Sequence, residues 1–173
     1  MRMIKVRYGQ FETNSSSTHA MIVCNEEPKN IPPFVYFGIG DFGWRRDLLK
    51  TPEEKAAYLY TSALCLYGDK NIEDNLAANL ALFNVKCKFD KPKWYVANDC
   101  KWLDNGCVDH CGEDQHADWV HTMLTEPNAL IRFLFNEKSY VMTSNDNCGD
   151  EEYEWKKEKE NPPYECKVYY KGN

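Results

Sequence analysis

No stretch of the chain approaches the roughly 20 consecutive apolar residues that a membrane-spanning helix requires. Positive charge is not in surplus either: 21 Lys and Arg stand against 27 Asp and Glu, for a net charge of -6. That balance lacks the basic footprint with which general nucleic-acid binders neutralise phosphates, so direct nucleic-acid binding is not expected. A glycine-rich phosphate loop, a dinucleotide fingerprint, an HExxH helix and a CxxC pair are all missing. Gly38-Ile39-Gly40 with Gly43 comes nearest to a fingerprint, but no helix follows at the required place and the segment reads as a turn. The opening Met1-Arg2-Met3-Ile4-Lys5-Val6-Arg7 has no apolar core of the signal-peptide kind, which makes a cytoplasmic protein the expectation. What remains is a chain of 173 residues, 43% hydrophobic and 14% aromatic, long enough to bury one core without a disulfide scaffold.

Hydrophobic spacing predicts an α+β fold in a single domain over residues 1–173. Strands are expected at residues 3–8, at Ala20–Cys24, at Phe34–Phe37, at 85–89, at 139–142 and at 167–170. Thr51-Pro52-Glu53-Glu54 is a helix start: threonine caps, proline suits the first turn and Glu54 completes a capping box. That helix should run to about Leu66 and stop near Gly68. Ile72, Leu76, Leu80 and Phe83 mark a second helix, 114–125 a third with Trp119 and Met123 on one side, and Pro127 opens a fourth. The expected architecture is a mixed or antiparallel sheet built from N- and C-terminal strands, with about four helices between. Residues 145–163 are strongly charged and read as a solvated helix or mobile loop.

Histidine is scarce, four in the chain, yet with eight cysteines it forms a cluster. Cys100, Cys107, His110, Cys111, His116 and His121 fall within 22 residues. The order Cys107-x3-Cys111-x4-His116-x4-His121 supplies two sulfurs and two imidazoles, a set that suits one structural zinc in a closed tetrahedral site. Cys148, followed like Cys111 by glycine, is an alternative ligand, and a metal-free loop is an equal reading. The metal-stabilised loop would span 98–121. Cys24, Cys65 and Cys87 lie in apolar surroundings and read as small buried hydrophobes, kept reduced in a cytosol.

Acidity concentrates in the same region. Asp99, Asp104, Asp109, Glu113, Asp114, Asp118 and Glu126 face the single Lys101 between residues 95 and 131. Asp104-Asn105-Gly106 predicts a hairpin joining Trp102-Leu103 to Cys107-Val108. Trp94, Tyr95, Trp102 and Trp119 read as core or as an aromatic contact patch beside acids. Trp44-Arg45-Arg46 reads as a surface segment before a helix.

The most unusual string is Glu12-Thr13-Asn14-Ser15-Ser16-Ser17-Thr18-His19. Three readings are open. A serine acts as nucleophile with His19 as base and Glu12 as orienting carboxylate; the amides and hydroxyls hold a phosphate or nucleotide; or the polar side chains satisfy their own backbone at a turn before a strand.

The sequence Arg7-x-Gly9-x-Phe11-Glu12-Thr13-Asn14-Ser15-Ser16-Ser17-Thr18-His19-Ala20 resembles the opening of a group of small phage and mobile-element proteins of Firmicutes. The resemblance covers about the first 20 residues, implies a phage or prophage setting and brings no catalytic residues with it. In that setting the expectation is an accessory protein that binds a host protein, such as a nucleic-acid-binding effector, and inhibits a defence nuclease in the manner of anti-CRISPR proteins. The contact would be an acidic, aromatic face around residues 94–126, with Trp94, Trp102, Asp104, Asp109, Glu113 and Asp114 as candidate binding residues. The alternatives are a small enzyme or nucleotide binder centred on Glu12, Asn14, Ser15, Ser16, Ser17 and His19, and a zinc-stabilised structural protein.

Overall fold

Alternation along the first described strand decides how the molecule is layered. The computed structural model describes residues 17–68, 70–97, 100–109, 114–145 and 165–171. In chain order these form β1 (Ser17–Cys24), β2 (Phe34–Phe37), β3 (Asp41–Phe42), β4 (Asp47–Leu49), α1 (Pro52–Tyr67), α2 (Ile72–Ala81), β5 (Lys86–Phe89), β6 (Trp94–Ala97), β7 (Cys100–Leu103), β8 (Cys107–Val108), α3 (Asp114–Thr125), α4 (Pro127–Phe135), β9 (Tyr140–Asn145) and β10 (Cys166–Lys171). On β1, Met21 and Val23 enter the main core, whereas Ala20 and Ile22 pack with Tyr140 and Met142 in a smaller cluster on the opposite face. The strand is buried on both faces, which is why Ala20-Met21-Ile22-Val23-Cys24 is apolar throughout. It sits in an antiparallel sheet of order β10-β1-β9-β4, so strands from the two ends of the chain do meet. The protein is a single mixed α+β domain.

Helix α1 is the centre of the core. Its start is fixed as the sequence predicts: Glu54 N–H donates to Thr51 Oγ1 at 3.2 Å and Thr51 N–H donates to Glu54 Oε2 at 3.0 Å. It ends at Gly68 with φ of 71°. Between these ends Lys55, Ala56, Tyr58, Leu59, Tyr60, Ala63 and Leu64 are all buried, because the sheet, β2 and the other helices surround this element. Lys55 is the exceptional member. Its Nζ donates to the carbonyls of Asn136 at 3.1 Å and Ser139 at 2.9 Å, just past the C-terminus of α4. Ser139 completes the joint, donating from Oγ to Arg132 O and accepting from Cys24 N–H.

The remaining helices follow their spacing. Ile72, Leu76 and Leu80 are buried on α2, with Phe83 packed just beyond its end. Trp119 and Met123 are buried on α3, and Leu130, Ile131, Phe133, Leu134 and Phe135 on α4. Two short parallel pairs, β2 with β5 and β3 with β8, flank α1.

One expectation is overturned. Asp104-Asn105-Gly106 does not turn a hairpin between 102–103 and 107–108, because β7 pairs with β6 and β8 pairs in parallel with β3. Gly106 is needed for contact rather than for a turn: a Cβ there would collide with Ile39 Cγ2 and stand 2.8 Å from Gly40 O. Asn105 instead closes β6, its Oδ1 accepting from Lys93 N–H at 2.8 Å. The expected strand at 3–8 and the charged stretch 146–163 lie outside the described residues.

Candidate functional site

Two strings that are far apart in the sequence meet inside the molecule. His19 on β1 faces the helices, two residues from Met21 on the same side of the strand. His116, on the first turn and a half of α3, reaches the same place from the opposite direction. Between them, α1 presents Tyr58 and Ser62, four residues apart and therefore on one helix face. His19 Nδ1 and Tyr58 OH share a hydrogen bond of 2.6 Å, and His116 Nε2 and Ser62 Oγ share one of 3.1 Å. The two imidazole centroids are 6.4 Å apart, and Trp119 stacks on His116 at 5.8 Å and 10°.

Gly43 closes the far side. Its φ is +101°, and a Cβ on it would lie 2.7 Å from His19 Nε2 and 2.8 Å from Asp109 Cβ. Glycine is therefore required twice over, by conformation and by space. Asp109 is held there by its N–H donating to Phe42 O at 2.9 Å. His19, Tyr58, Ser62 and His116 are each 0% exposed. Two imidazoles, a phenol, a hydroxyl and a neighbouring carboxylate make an island that can hold or relay a proton. The same contacts also satisfy polar groups that would otherwise cost free energy in a core.

The structure brings together some of the candidate residues and separates others. Ser17 shares the inward face of β1 with His19 and is buried. Glu12, Asn14, Ser15 and Ser16 lie outside the described residues, as do Cys111, Glu113 and Cys148 and the Asp114 side chain. Of the proposed metal set, Cys107 is half-buried on β8, His116 is buried and His121 is exposed. Five residues along a helix turn through about 140°, so His116 and His121 leave α3 on different faces rather than converging. Among the described residues no group of three or more His, Cys, Asp and Glu is placed to hold a metal ion. Asp109 is turned inward, its Oδ2 buried beside the histidine island, and so does not belong to an outer acidic face. Tyr58 and Ser62 were not among the sequence candidates. Their only signal is four-residue spacing of polar groups in an otherwise apolar helix face.

A different surface lies on the ribbon of β6 and β7. Cross-strand partners share a face, so Trp94 and Leu103 point one way and Tyr95 and Trp102 the other. Leu103 is buried and Trp94 half-buried, packed against the core with Lys101 Nζ 4.3 Å from its ring. The opposite face is open: Tyr95 is 59% and Trp102 50% exposed, with their rings stacked at 6.3 Å. Val96, two residues beyond Trp94 and on the Trp94 face, is exposed as well. Asp104 at the foot of the ribbon and Asp118 and Glu126 on and after α3 are exposed acids. Compared with known proteins, the chain matches no family model, no curated sequence and no solved structure.

Proposed function

We propose that this chain is a non-enzymatic binding protein that docks on another protein through the outer face of the β6–β7 ribbon. The observation that carries the reading is the Tyr95–Trp102 stack, two large aromatic rings held together and left half exposed on a ribbon whose other face is anchored in the core. Rigid aromatic side chains of this kind are the usual anchors of protein interfaces, because they bury much area while losing little rotamer freedom. The net charge of -6 and the exposed Asp104, Asp118 and Glu126 favour a partner with a basic groove. Taken with the phage-like opening string, that partner is a host protein that handles nucleic acid, and the effect is inhibition by occlusion, as with a defence nuclease. The test is capture of partners from a bacterial lysate with the wild type and with a Tyr95→Ala/Trp102→Ala variant. One protein retained at stoichiometric level by the first and lost by the second supports the reading; equal retention by both defeats it.

A second reading rests on the convergence of His19, His116 and Asp109 with Tyr58 and Ser62. That island brings His19 of the serine-rich string together with His116 of the Cys/His segment and suits proton transfer to a small ligand or substrate. A folded Ser15→Ala/Ser16→Ala/His19→Gln variant that keeps full function in a host assay would exclude it.

A further inference from the structure

Strands β1 and β10 set two cysteines directly opposite each other. Cys24 and Cys166 are Cα partners in the antiparallel register. The next pair, Asn25 and Glu165, is hydrogen-bonded, with Asn25 N–H donating to Glu165 O at 3.0 Å. Hydrogen-bonded and non-hydrogen-bonded pairs alternate along such a ladder, so Cys24 and Cys166 are of the close, non-hydrogen-bonded kind. Cys24 N–H agrees, since it points away from β10 and donates to Ser139 Oγ at 3.0 Å. Pairs of this kind bring Cα atoms to about 4.5 Å, inside the roughly 4.4–6.8 Å that a disulfide spans. The other described cysteines, Cys65, Cys87, Cys100 and Cys107, sit on different elements, α1, β5, β7 and β8.

We propose that Cys24 and Cys166 are a redox site, a thiol pair that closes reversibly to a cross-strand disulfide and fastens β10 to the middle of the sheet. The oxidant is a low-molecular-weight disulfide such as oxidised glutathione. Cys166, half-buried, attacks one of its sulfurs and releases one small thiol; Cys24, fully buried beside it, then attacks Cys166 Sγ and releases the second. One disulfide and two thiols become one disulfide and two thiols, with both protein protons leaving on the small thiols. Burial first and the adjacent Cys24 second raise the Cys166 thiol to about 11. Closure is therefore slow at neutral pH. Once formed, the bond resists reduction, because no stabilised thiolate rewards its opening.

The test is incubation of the folded, full-length protein with oxidised glutathione at a pH of about 8.5, followed by thiol alkylation, digestion and mass spectrometry. The expected result is a joined peptide pair carrying Cys24 and Cys166. A rise in melting temperature of about 5–10 °C, reversed by dithiothreitol, should accompany it. Both changes should be absent from Cys24→Ala and from Cys166→Ala. A stable glutathione adduct on Cys166 with Cys24 still alkylated, a bond from either residue to another cysteine, or two thiols left unreacted would each overturn the proposal.

Discussion

Gly43 shows how a single residue holds the interior site together. With φ at +101° and with His19 Nε2 and Asp109 Cβ each under 3 Å from where a Cβ would be, Gly43→Ala strains the backbone and pushes both side chains aside. The expected cost is about 2–4 kcal/mol, read by urea unfolding against the wild type. Lys55 makes a second prediction at this scale. Burial pushes its ammonium down to about 8, from 10.5 in the open chain. Between those values the unfolded chain binds more protons than the folded one, so this residue makes stability rise with pH. The gain between a pH of about 8 and one of about 9.5 should be roughly 1.5 kcal/mol. It should vanish in Lys55→Met, measured as the difference between two chemical-unfolding pH series.

Among the elements, the helices were legible because their signals are local. Thr51, Pro52 and Glu54 fix the start of α1 within four residues, and the stripes Ile72-Leu76-Leu80 and Trp119-Met123 give period and face together. Thr51→Ala should accordingly cost about 1 kcal/mol, seen in thermal or urea melts, by removing the acceptor of the Glu54 N–H. The edge elements were not legible in the same way. Asn105-Gly106 has hairpin chemistry, yet Gly106 answers to Ile39 and Gly40, more than sixty residues earlier in the chain, and no local window records that demand. His116 and His121 illustrate the converse. Their five-residue spacing already separates them on a helix, and the predicted helix over 114–125 contained the information needed to part them.

For the molecule as a whole, the sequence indicated the class of fold and the meeting of terminal strands, and left the sites to long-range geometry. His19 finds Tyr58 across 39 residues and His116 finds Ser62 across 54, pairings that no motif spacing encodes. The aromatic ribbon was partly legible, since Trp94, Tyr95 and Trp102 stood out as a cluster. The alternation that turns Trp94 inward and Tyr95 and Trp102 outward depends on the β6–β7 register. In the proposed reading the exposed aromatics and acids of the outer surface form the contact face, and its association with a basic partner should weaken as salt rises.

The most direct measurement of that claim is quantitative capture from host lysate at several salt concentrations, with wild-type protein beside Tyr95→Ala/Trp102→Ala. The account predicts one stoichiometric protein partner for the wild type, released progressively by salt, and a loss of at least about tenfold in retention by the variant, the equivalent of truncating an interface anchor. Retention of the same partner at equal strength by both proteins, with both folded, would contradict it.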